Sequence, residues 1–365
     1  WKSGYYEVFF GAPAADNKEQ WIDGRTTFFV IRAKNPGVKA KILLQLTTNT
    51  YNAYDNWGGY SLYAYNSEEG RQGSKVSFSR PITSGAWEWE VPFIQWAERN
   101  GYTLEYAVNS DLEFHPELLD HYQLVVSVGH DEYWSAPMRD NIERFVSAGG
   151  NLAFFGGNAL TWQVRFDNDG SEMVSWKKAY RQDPLYNPKG SNPLLSTLWS
   201  HPRVNRPENQ LVGAGTMFGG MQRSKGQYMD GSGAYTVYQP DHWVFAGTGL
   251  KLGQQFGARD RIVGYECDGC EHTYVNGIPV PTGRDGTPKG FLILALAPAS
   301  WAPDEWQWYE RWESGRIGNA CMGIHRFEKG GTVFTAATTG WAHGLRGEDP
   351  AVGIITRNVL DSLSK

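Results

Sequence analysis

His130 and Glu132 lie two residues apart, directly after the apolar run Leu124-Val125-Val126-Ser127-Val128. If the backbone stays extended beyond that run, both side chains point to the same side. An imidazole and a carboxylate at a strand end form half of a metal site or an acid–base pair. A purely architectural reading also fits: His130 closes the strand and Glu132 begins the next helix as an N-terminal acid. Asn158 follows Gly156-Gly157, where a turn residue is equally at home, and Glu266 follows Val263-Gly264-Tyr265, where a solvated carboxylate would serve. Tyr6 and Tyr51 read first as packing residues with wet hydroxyls. A phenol becomes a ligand only by losing a proton held with a pKa near ~10, which a hard, highly charged ion such as Fe(III) makes favourable.

The elements around these residues set where they sit. Residues 1–90 read as β-rich, with strands over 6–10, 26–33 and 41–48 and a turn at Asn35-Pro36-Gly37. The polar, aromatic, Gly-rich stretch from Asn49 to Tyr60 reads as an irregular loop after a strand. From position 91 the pattern alternates. A helix runs from Pro92 to Asn100, a strand from Thr103 to Val108, the apolar strand over 124–128, a helix from Pro137 to Ala148 and a strand from Asn151 to Phe155. Strand–helix–strand alternation predicts right-handed crossovers and a parallel sheet, with ligands outside the carboxyl ends of its strands. Residues 161–245 read as a loop-rich insertion. Strands return over 261–265, 290–295 and 322–327, and an amphipathic helix closes the chain over 350–364. The predicted fold class is α/β, a mostly parallel sheet with flanking helices. A β-rich segment over 1–90 precedes the α/β domain over 91–365, and together they form one composite catalytic unit.

The chain has 365 residues and a formal net charge of −5, a poor balance for binding nucleic acid, where cationic side chains must replace phosphate counterions. No apolar stretch approaches the ~18 residues that span a bilayer. The 16 tryptophans are spread along the chain, which favours packing over a single stacking platform. Three cysteines are too few for a disulfide framework and suit a reducing cytoplasm. Cys267 and Cys270 form a lone Cys-x-x-Cys with His272 close by. A structural zinc site normally needs a second ligand pair, so a redox pair or ordinary cysteines compete with zinc.

Several segments, in order and over nearly the whole chain, resemble the catalytic region of the large subunit of N,N-dimethylformamidase. They are Trp1-Lys2-Ser3-Gly4-Tyr5-Tyr6, Thr50-Tyr51-Asn52-Ala53-Tyr54-Asp55-Asn56-Trp57-Gly58-Gly59-Tyr60-Ser61-Leu62-Tyr63, Gly129-His130-Asp131-Glu132-Tyr133-Trp134 and Phe155-Gly156-Gly157-Asn158, then Phe245 to Leu250 and Val263 to Gly269. The resemblance implies one ferric ion held by two tyrosines and a glutamate, which carries onto Tyr51, Glu132 and Tyr6, with Tyr5 competing for the last place. It implies that His130, Asn158 and Glu266 line the pocket: His130 or Glu266 as proton carrier, Asn158 as donor to a developing oxyanion. It further implies hydrolysis of a small N-substituted amide such as a formamide, with a small partner subunit or a homo-oligomer; the cytoplasmic location expected here rests on the cysteine count alone. The sheet segment also resembles the glutamine-amidotransferase-like fold, but His130 stands where that fold places its cysteine, which argues against thiol chemistry. A carbohydrate- or ligand-binding module without catalysis and a zinc protein built on Cys267 and Cys270 are the competing readings.

Overall fold

The computed structural model describes residues 1–13, 21–190, 192–222, 232–327 and 330–365. A nine-stranded sheet organises them. From one edge its strands are Gln255–Phe256, Tyr235–Val237, Leu292–Ala299, Gly318–Arg326, Thr332–Thr335, Asn151–Gly157, Leu124–His130, Ile42–Leu46 and Leu104–Val108. The strands from Asn151–Gly157 onward pair in parallel, as the alternation of strand and helix requires. Thr332–Thr335 is the seam. It runs parallel to Asn151–Gly157 but antiparallel to Gly318–Arg326, and the strands beyond continue antiparallel. The sheet is therefore mixed rather than mostly parallel. The strands that follow residue 290 succeed one another without an intervening helix, so each must return antiparallel to the last.

The parallel half is buried on both faces. Leu44, Leu46, Val126, Val128 and Phe155 meet Phe93 and Trp96 of helix Glu90–Arg99 together with Trp341, Val352 and Ile355 of the C-terminal helices. Leu43, Val125, Leu152 and Phe154 point the other way onto Met138, Ile142, Phe145 and Val146 of helix Ala136–Ser147. This explains the unbroken apolar run at 124–128: alternate residues serve opposite layers, so neither set can be polar. Helix Ala136–Ser147 starts where its sequence dictates. The Ser135 hydroxyl accepts from the Met138 amide, and Pro137 occupies the first turn.

Three local expectations change. The segment after Ile42–Leu46 is a helix, Thr48–Tyr54, not an irregular loop. Its polar residues are internal: Asn49 takes Asn109 Oδ1 on its amide and gives its own side-chain NH2 to the Tyr133 carbonyl. Residues 261–265 form turns rather than a strand, with Arg261 and Tyr265 at φ of 51° and 56°. The 161–245 stretch carries strands Trp162–Asp167, Glu172–Val174, Gly215–Gly220 and Tyr235–Val237 within its irregular path, while residues 223–231 of it lie outside the described residues. At the N-terminus, Gly4–Pro13 and Trp21–Ile31 pair as a separate antiparallel ladder. No helix among the described residues is long and apolar enough to cross a membrane.

Candidate active site

Strand Leu124–His130 delivers His130 as its last residue, and the chain then turns. Gly129 sits at φ 80°, and a Cβ there would lie 2.5 Å from the Cβ of Trp89, so only glycine fits the approach. Glu132 is anchored through its backbone: its amide donates to Thr50 Oγ1 and its carbonyl accepts from the Trp162 amide. The neighbouring strand Asn151–Gly157 pairs His130 with Gly157, which places Asn158 alongside. The segment carrying Glu266 closes over this point. A Cβ on Gly157 would strike the Glu266 carbonyl at 2.6 Å, so the second glycine of Gly156-Gly157 is what admits it.

Four of the sequence-derived residues therefore meet. His130 Nε2 lies 2.5 Å from Glu266 Oε2 and 3.7 Å from Glu132 Oε2. The contact with Glu266 is close, but Nε2 lacks a hydrogen-bond acceptor in proper alignment, so the pair is ionic. Asn158 Nδ2 donates to Glu266 Oε2 at 3.0 Å and to Glu132 Oε1 at 3.3 Å. The hydroxyls of Thr161 and Thr216 hold Asn158 Oδ1 at 2.6 and 2.7 Å, which fixes the amide with its NH2 toward the carboxylates. All four residues are buried. Burial opposes protonation of His130, but Glu132 and Glu266 outweigh it and raise its pKa to about 9. Burial raises the Glu132 pKa against the opposing pull of His130.

Two of the expected metal ligands do not join this group. The Tyr6 hydroxyl donates to the Lys2 carbonyl, and its ring stacks on Phe29 in the exposed N-terminal ladder. Strand alternation turns Tyr5, not Tyr6, toward the interior, where its hydroxyl bonds Ser84 and its ring packs near Tyr51. Tyr51 gives its hydroxyl to Glu90. The tyrosines set against Glu132 are others. Tyr63 donates to both Glu132 oxygens, at 3.0 and 3.3 Å, and Tyr54 stacks on Tyr63 at 4.2 Å. Burial first, then Glu132, pushes both phenols well above their ordinary pKa. Both residues belong to the stretch from Thr50 to Tyr63 singled out in the sequence, but nothing in their spacing separated them from Tyr51.

Lys177 was not foreseen either. It is buried, its Nζ donates to the Tyr133 hydroxyl at 2.9 Å, and it lies 3.3 Å from the Tyr63 ring centroid. Tyr133 in turn donates to Tyr63 at 2.7 Å, so a chain of hydrogen bonds runs from the ammonium to Glu132. Burial lowers the Lys177 pKa to about 7, with Glu132 working against that fall.

His130, Glu132 and Glu266 each offer a donor atom, all within 4.8 Å of one another, and form a buried group that could hold a metal ion. Among the described residues no other set of three or more histidine, cysteine or acidic side chains converges in this way. The cysteines do not: Cys270 Sγ faces Cys321 Sγ at 3.3 Å, Cys267 turns to Thr338, and all three are free and buried. Cys267 thus turns away from Cys270, so the Cys-x-x-Cys does not converge on one point as a zinc site built on that pair would require.

Residues 1–353 match the family described as N,N-dimethylformamidase beta subunit-like, C-terminal. The chain belongs to that family. A curated relative, the N,N-dimethylformamidase beta subunit of an Alcaligenes species, is 28% identical over 133 residues, covering 33% of this chain and 18% of the relative. The chain therefore spans a small part of that relative's length. Among solved structures, a beta-galactosidase from Bacillus circulans sp. alkalophilus superposes with a TM-score of 0.41 at 13% identity, over 89% of this chain and 31% of that one. Family membership, not that superposition, bears on what the site does.

Proposed function

We propose that this chain is the catalytic part of a metal-dependent hydrolase of N-substituted amides, with Fe(III) as the ion. The observation that carries the reading is the buried meeting of His130, Glu132, Asn158 and Glu266 in a member of this family. The donor set fits a hard cation. Two carboxylates, Glu132 and Glu266, converge out of water with only the single charge of His130 between them, which leaves room for a further positive ion, and oxygen-rich donors select hard ions. Glu132, with the Tyr63 phenol 3.0 Å away, would hold the ion. When bound, the ion would polarise the amide carbonyl and acidify water.

The protein's own groups do the rest. The His130–Glu266 pair takes a proton from the attacking water and returns it to the departing nitrogen. The water oxygen bonds the carbonyl carbon, the C–N bond breaks, and a carboxylic acid and an amine leave. Asn158, fixed by Thr161 and Thr216, presents its NH2 toward negative charge. Metal analysis together with amide turnover tests this reading. Glu132→Ala is expected to lose iron and activity, and His130→Ala to keep iron and lose activity by about 10²-fold or more. Iron lost with His130→Ala would move the imidazole into the coordination sphere. Full activity without metal would end the proposal.

A further inference from the structure

We propose that the amides cleaved here carry an uncharged aromatic substituent, and that amides bearing a carboxylate, such as N-acyl amino acids, are rejected; this rests on the amide-hydrolase reading above. A cavity of about 630 Å³ opens onto His130. At liquid water's ~30 Å³ per heavy atom, a dimethyl-substituted formamide takes on the order of 150 Å³. Most of the space would then stay wet, whereas cavities of this size ordinarily enclose much larger guests.

The walls say what the guest is. Tyr54, Tyr65, Trp89 and Tyr265 line the cavity. Trp89 and Tyr265 stand nearly parallel, 27° apart at 6.4 Å, and both meet the His130 imidazole edge-on, at 5.7 and 5.8 Å. Tyr265 remains 38% exposed and Tyr65 74%, so ring surface at the site is left for something else to cover. A planar ring attached to an amide whose carbonyl faces His130 would lie against these faces.

Charge supplies the second criterion. Beyond His130 and the tyrosine hydroxyls, the ionisable groups on the cavity wall are Asp55, Glu88 and His343; Asp55 Oδ2 is paired with Arg80 Nε at 3.5 Å behind the wall, and His343 Nε2 with Glu88 Oε1 at 2.9 Å. No lysine or arginine is among the described residues lining the cavity. A carboxylate entering here would lose water, meet Asp55 and Glu88, and find no lysine or arginine on the wall to replace that hydration.

The test uses the metal-loaded full chain and three amides: N,N-dimethylformamide, N-benzylformamide and N-formylphenylalanine. The expected kcat/KM for N-benzylformamide is at least tenfold above that for dimethylformamide, with N-formylphenylalanine below both. Trp89→Leu and, independently, Tyr265→Leu at the exposed wall should bring the first ratio toward one. Parity or preference for dimethylformamide overturns the aromatic assignment while leaving the amidase reading intact. N-formylphenylalanine turned over as fast as the benzyl amide overturns the charge criterion. If no amide is cleaved, the amidase reading fails, and calorimetric binding decides the cavity assignment separately. Tighter binding of the benzyl amide than of the other two upholds it, and equal binding overturns it.

Discussion

Tyr63 shows how a residue can be central to a site and silent in a sequence. Its hydroxyl accepts from Tyr133 and donates to Glu132, so it transmits the position of Lys177 to the carboxylate. Groups that orient a metal-ligating side chain typically matter ~10–100-fold in metal affinity. Tyr63→Phe is accordingly expected to weaken iron binding by about tenfold in a chelator competition, with the unfolding midpoint little changed; unchanged affinity would make Tyr63 a packing residue. His130, Glu132, Asn158 and Glu266 were legible because they stand at strand ends or in family-matched segments. Tyr63 and Lys177 were not. A tyrosine in an aromatic loop looks like packing, and a lone lysine at 177 looks solvated until the irregular stretch after Trp162 folds back over Tyr133. Tyr6 and Tyr51, matched by motif, point to Lys2 and Glu90, because strand and helix geometry rather than motif position decides where a phenol goes.

At the level of elements, the sharp exit from strand Leu124–His130 is what brings His130 against Glu266. Gly129→Ala would force a side chain into left-handed backbone and against Trp89, and should destabilise the protein by about 2–4 kcal/mol. Denaturant unfolding reads this directly, and a midpoint equal to the parent's would show that the turn tolerates a Cβ. The apolar runs announced most strands of the parallel half and the helices over 90–99, 136–147 and 350–363, since continuous or periodic burial leaves a sequence trace. Helix Thr48–Tyr54 left none. Asn49 gives its backbone amide to Asn109 and its side-chain NH2 to the Tyr133 carbonyl, and Tyr51 gives its hydroxyl to Glu90, partners far along the chain that local pattern cannot reveal.

For the molecule as a whole, buried acids make stability depend on pH. Glu208 is enclosed, one oxygen accepting from the Thr216 amide and the other without a partner. Burial raises its pKa to about 7, against backbone hydrogen bonds and Arg139. The unfolded chain titrates near ~4.3, so the folded state holds this proton more tightly and the stabilisation is complete below that value. It is lost as pH rises from about 4.3 through about 7, a change on the order of 3 kcal/mol. Glu208→Gln should flatten the slope of unfolding free energy over that window, and an unaltered slope would assign the titration elsewhere. The mixed sheet was only half visible from sequence. Helical spacers marked the parallel strands, while the reversal at Thr332–Thr335 depends on which neighbour that strand chooses.

That seam also fixes a timetable for biosynthesis. Asn151–Gly157 acquires its outer neighbour only when Thr332–Thr335 arrives, and His130 meets Glu266 only across more than a hundred intervening residues. A nascent chain on the ribosome can build the strands through Gly157 first, but it must keep that edge unpaired until residues 332–335 are made. Assembly of the buried His130–Glu266 pair and closure of the sheet therefore both wait on later residues, and a ribosome stalled before residue 332 would display an open, aggregation-prone edge.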